Sequence, residues 1–149
     1  MDIQDELLRR LKTLTLIGIT IISSLLVYLG LAEFIRYHFR PFSGFAAIPD
    51  SQRLRYVFFT LAVLSVVLVR VLRPALLRKS PGEDAKTTLH RLERATLVTL
   101  VLAEVPALLG LVLFLLRGFN IDFYILLFAS LLLVFMYFPR RSNWQEWLS

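Results

Sequence analysis

Four apolar runs, each close to the length of a membrane-spanning helix, alternate with polar segments along the chain. They cover residues 14–35, 56–72, 95–116 and 121–138. A helix needs ~20 apolar residues to cross a ~30 Å hydrocarbon core, so each run is read as one span. The second is short unless the helix continues through residues 74–77. Arg-Gly-Phe-Asn separates the last two runs, with Gly118 free to turn left-handed, and this predicts a tight hairpin. The pattern therefore predicts an all-α integral membrane four-helix bundle of two helical hairpins. Residues 1–149 form a single transmembrane domain in this reading.

Composition agrees. The hydrophobic fraction is 57%, charged residues make up 19% and mean hydropathy is +0.68, more apolar side chain than a soluble domain of 149 residues can hide. The lipid bilayer is thus the first partner. The net charge of +6 does not indicate nucleic acid, because the basic residues lie between apolar runs. There is no cysteine, so disulfides and thiol chemistry are excluded. His38 and His90 fall on opposite sides and build no metal site, and no residue pattern calls for a cofactor.

Orientation follows from lysine and arginine near the span ends. Eleven of the seventeen lie at the N-terminus, the middle loop and the C-terminus, and five on the other side. Both termini are expected in the cytoplasm, in an inner (plasma) membrane. Trp144 and Trp147 after the last span suit the headgroup zone. The first span reads as an uncleaved anchor, because its run is long and its leader mixes acids with bases. In that leader Ile3, Leu7, Leu8 and Leu11 gather on one face. It either lies along the cytoplasmic surface or extends the first helix. The first outer loop interleaves Tyr37, Phe39, Phe42 and Phe45 with Pro41, Gly44 and Pro49, a composition suited to the outer interface.

Glu104 stands nine residues into the third run, near its middle. A carboxyl there costs roughly 2.5–3.5 kcal/mol on insertion scales and is a functional candidate. Counted at ~1.5 Å per residue, Ser23 and Ser24, Ser65, and Ser130 of the other runs fall at a similar depth. In lipid such groups turn toward one another, so these serines are the candidate partners of Glu104. Desolvation with no base at that depth predicts a neutral carboxyl. Thr96, Thr99, Ala103, Ala107 and Gly110 share one face of the third helix, and Thr20, Ser23, Val27 and Gly30 one face of the first. These two faces are expected to meet. Pro106 frees the Leu102 carbonyl, another partner within reach of Glu104. Arg70 is read as snorkelling to the headgroups, or as a charge partner of Glu104 from below. Glu33 has Arg36 one turn on.

The stretch AEVPALLGLV, residues 103–112, resembles the carboxylate helix of subunit c, the proteolipid of the rotary ATP synthase ring. In that family the segment reads A-E-A-I-A-I-Y-G-L-V. Glu104 falls on the ion-carrying carboxylate, and Ala107, Gly110, Leu111 and Val112 also match. The resemblance implies proton or ion transfer at Glu104. It covers ten residues, and the glycine-repeat helix of that family is missing: the first span has only Gly18 and Gly30, the second none. As a whole the chain resembles small uncharacterised four-helix inner-membrane proteins of bacteria, which brings no activity with it. Three functions fit. The first is a non-enzymatic accessory or assembly subunit of a membrane complex, with a membrane-protein partner. The second is a proton- or ion-linked carrier, or a channel-forming homo-oligomer, using Glu104. The third is an intramembrane lipid-binding protein. No nucleophile–base pair or phosphate loop supports an enzyme.

Overall fold

The computed structural model describes residues 3–78, 82 and 84–140. They form four helices: α1 (Ile3–His38), α2 (Ser51–Leu76), α3 (Ala85–Arg117) and α4 (Asn120–Tyr137). There are no strands among the described residues, and all four helices are long and apolar enough to cross a membrane. Trp144, Trp147 and Arg141 lie outside the described residues, as do Lys79 and Ser80. The helices overrun the apolar runs. α2 continues through Pro74 to Leu76, and α1 and α3 each begin about ten residues before their apolar run. At 36 and 33 residues these two helices are about 54 and 50 Å long, well beyond a ~30 Å hydrocarbon core. The surplus lies at the end carrying the N-terminus, here termed the inner end.

α3 is the hub and packs against all three other helices, whereas α1 and α2 scarcely touch each other. The expected first hairpin is therefore corrected: α1 and α2 follow one another in sequence but do not pair. α3 intervenes because it alone has a broad buried surface, with half of its apolar window covered. Its sequence explains this. Leu89, Leu92, Thr96, Thr99, Ala103, Pro106, Gly110 and Leu113 are all buried, at alternating steps of three and four. On α1 the buried positions are Leu7, Leu11, Leu14, Gly18, Ile21, Leu25, Ala32 and Ile35, on the same heptad spacing. A 3.5-residue repeat keeps one seam facing its partner over many turns. Arg10 meets His90 and Ser24 meets Glu104, both at a separation of 80 residues, so α1 and α3 run parallel and without slip.

A second correction follows. The α1 face formed by Thr20, Ser23, Val27 and Gly30 does not meet α3. All four are exposed, and a methyl group on Gly30 would touch nothing within 4 Å. The long leucine-rich seam offers more dispersion contact than four small residues, so it takes the interface. The small-residue face of α3 is buried as expected, but part of it serves α4. A Cβ at Gly110 would stand 3.0 Å from the Leu126 Cβ and 3.4 Å from Phe123 backbone atoms.

The leader continues α1 as helix and packs on α3. Leu7, Leu11 and Leu14 form one cluster with Leu89 and Leu92. Arg10 binds Glu6 at 2.7 Å and also Glu93 across the pair. The central cluster joins Ile21, Leu25, Leu100, Ala103, Ala107, Leu133 and Val134. The outer one joins Ala32, Ile35, Leu111, Phe114 and Phe123.

The loop between α1 and α2 closes the outer end of α3. The Phe45 and Ala46 amides donate to the Leu115 and Leu116 carbonyls at 2.8 and 3.1 Å, and Gly118 donates to Phe114 at 2.6 Å. Carbonyls at a helix end have no partner of their own, so the loop supplies one. Gly118 makes this close approach with φ +70, and a Cβ there would lie 2.8 Å from the Phe42 carbonyl oxygen. The Phe42 ring packs at a tilt against Phe114, ring centres 5.0 Å apart, and anchors the loop to the outer cluster.

Candidate functional site: a carboxyl group midway along the bundle

Glu104 sits at the seam between α1 and α3. Its Oε1 accepts two hydrogen bonds, from the Ser24 hydroxyl and the Tyr28 hydroxyl, both at 2.7 Å. Ser24 and Tyr28 are four residues apart and so stack on one face of α1, which brings both hydroxyls to the same oxygen. Ser24 also donates to the Ile21 carbonyl at 2.8 Å, sharing its proton between its own helix and the carboxyl. Tyr28 was missed by the sequence reading, which counted serines by depth. Its position one turn beyond Ser24 was the signal that could have found it.

The remaining candidates do other work. Ser23 is exposed and donates to the Ile19 carbonyl of its own helix at 2.9 Å. It lies 100° from Ser24 around α1, which is enough to turn it away. Ser65 is buried at the α2–α3 contact and donates to the Ala62 carbonyl at 2.7 Å. Ser130 is completely buried and accepts from the Ala107 backbone amide at 2.8 Å. That amide directly follows Pro106, so Ser130 serves the backbone beside the proline. Arg70 is exposed and forms no ion pair with Glu104. It stands nineteen residues from the outer end of α2 and Glu104 thirteen from the outer end of α3, so the two differ in depth by about 9 Å. No hydrogen bond joins Glu104 to the Leu102 carbonyl. Of the depth-matched set, only Ser24 meets the carboxyl.

The other acids within the apolar runs are held differently. Asp122, near the outer end of α4, is buried and takes a two-pronged bond from Arg55 of α2: Nε to Oδ2 and Nη2 to Oδ1, both at 2.7 Å. The Arg55 guanidinium also lies 5.9 Å from the Phe119 ring centre and 6.0 Å from that of Phe59. Glu33 takes Arg36 at 2.7 Å, as the sequence spacing predicts, and accepts the Tyr124 hydroxyl as well. Glu104 is thus the acid in the apolar runs that meets no cation among the described residues.

Glu104 is also only half-buried. Around α3, at 100° per residue, Gly110 and Ala107 face α4, and Thr99, Pro106 and Leu113 lie to one side. Val101, Leu108 and Val112 form an exposed stripe on the opposite side. Glu104 lies at the edge of that stripe toward α1. Because α1 and α2 part company, α2, α3 and α1 make one layer, with α4 on its back and the stripe open on its front. The carboxyl belongs to this front. Its Oε1 is occupied by hydroxyls, and its Oε2 has no partner among the described residues. Chemically the arrangement accepts hydrogen bonds or a positive charge. Among the described residues no group of acids and histidines could hold a metal.

No protein-family model matches the chain, and no curated protein or solved structure matches it either.

Proposed function

We propose that this is a non-enzymatic, multi-pass membrane protein that acts as an accessory or assembly subunit of a membrane complex. In this reading it lies in a bacterial inner membrane with both termini, and hence the inner ends of α1 and α3, on the cytoplasmic side. The observation that carries it is Glu104: a carboxyl at mid-depth, held on one oxygen and open on the face where α1 and α2 separate. An open ionisable group among apolar helices is costly against lipid, and a partner helix removes that cost.

The test is purification of the tagged full-length chain from its native membrane in mild detergent, with mass measurement of the intact particle. A stoichiometric second membrane protein is expected. A lone monomer, with no second membrane protein in the intact particle, would remove the proposal.

The partial exposure of Glu104 also supports a second reading, a proton- or ion-linked carrier in which this carboxyl loads and unloads. Proton flux in reconstituted vesicles separates the two. The carrier reading requires flux in the wild type and none in Glu104→Gln, which keeps size and hydrogen bonding but cannot release a proton.

A further inference from the structure

We propose that the open front of the α2–α3–α1 layer is a docking surface for a transmembrane helix of another protein, and that this helix carries a basic side chain at the depth of Glu104. The inference rests on the assembly reading and specifies the chemistry of the partner.

Charge complementarity carries it. Ionisable residues inside a membrane pair with one another or face a protein interior. This chain follows that rule at Asp122 with Arg55 and at Glu33 with Arg36. At Glu104 it supplies two neutral donors to Oε1, and Oε2 has no partner among the described residues. A cation reaching Oε2 would supply the base missing at that depth, favour the carboxylate form and complete the same arrangement that Arg55 gives Asp122, with a charge-assisted bond in a medium that screens it weakly. The surface around it suits a helix. Val101 and Leu108, one heptad apart, and Val112 form a straight apolar ridge along α3, and α1 adds Leu31 beside it.

A second copy of this chain fits less well. The exposed base within a span, Arg70, lies about 9 Å nearer the inner end than Glu104. Two copies face to face would bring carboxyl against carboxyl.

The probe is a leucine-rich transmembrane peptide with a single lysine at its centre, beside the same peptide with leucine there. The full chain has no cysteine of its own, so Thr87→Cys on the exposed inner end of α3 takes a donor dye. The peptides carry the acceptor. Energy transfer is measured in liposomes at pH 7. The lysine peptide is expected to associate at least tenfold more strongly than the leucine peptide. Glu104→Gln, which keeps the Ser24 and Tyr28 contacts, should reduce it to the leucine level, as should Leu108→Trp, which fills the front. Phe128→Trp, on the exposed face of α4, should change nothing.

Equal association of the two peptides with the wild type, or binding that survives Glu104→Gln, overturns the inference. So does energy transfer between two labelled copies of the chain that the lysine peptide cannot displace, which would assign the front to self-association. A stoichiometric native partner together with an indifferent lysine peptide would leave the assembly reading standing and remove only this inference. A chain that purifies alone yet binds the lysine peptide through Glu104 would do the reverse.

Discussion

Asp122 and Glu104 are both acids within apolar runs, and the chain treats them in opposite ways. Asp122 is sealed. An arginine from another helix grips both of its oxygens, and two aromatic rings flank that arginine. Glu104 is left half-open, with two hydroxyls on one oxygen and no cation among the described residues. The difference shows which acid is finished within the monomer. An ion pair with both carboxylate oxygens met, its acid buried and its arginine partly exposed, links two helices, here α2 and α4, which otherwise barely touch. A carboxyl met by neutral donors on one side ties α1 to α3 but keeps acceptor capacity for something else.

The contrast is sharpest in stability. Replacing Arg55 with leucine leaves the buried Asp122 carboxylate unpaired, and about 3 kcal/mol should be lost. Reversible unfolding of the chain in mixed micelles measures it. Adding Asp122→Leu should restore most of the loss, because the penalty comes from the orphaned charge. A loss below about 1 kcal/mol for the single variant would mean that Asp122 is no better sealed than Glu104.

Ser130→Ala should cost about 1–2 kcal/mol in the same assay. It removes an interhelical acceptor of the Ala107 amide, beside Pro106, in a fully buried site. Tyr28→Phe should cost less, about 0.6 kcal/mol, the typical worth of an interhelical hydrogen bond in a membrane protein. A Tyr28 effect as large as that of Arg55 would erase the distinction between the two acids. At the bottom of the scale stands Ser23→Ala, expected within ±0.5 kcal/mol because Ser23 bonds only to its own helix. A larger effect would return Ser23 to the Glu104 site.

The candidate site was legible in part. Glu104 declared itself by its place in an apolar run, and depth counting put Ser24 beside it. The same counting also selected Ser23, Ser65 and Ser130, which turned to their own backbones or to the proline-flanking amide. A serine near a backbone carbonyl one turn back satisfies itself within its helix, and that bond needs no second helix to form. Tyr28 reached the carboxyl because its hydroxyl stands too far from the backbone for such a bond. Asp122 escaped the reading because it lies close to the end of its run, where an acid looks like a helix-start residue. Nothing local points from there to Arg55, 67 residues earlier.

Amino-acid order by itself determined the four helices, since length and apolar content are summed along the chain and need no partner. It also held the heptad seams of α1 and α3, written as alternating steps of three and four. Tertiary structure alone decided that α3, and not the loop-linked neighbour α2, would receive α1. Sequence adjacency limits only how far two helix ends can separate, whereas packing selects the surface with the most matched contact. Tertiary structure likewise decided which face remains open. Exposure is a property of the assembled layer, and Glu104 is left with an oxygen that has no partner among the described residues only when α1 and α2 settle on different flanks of α3.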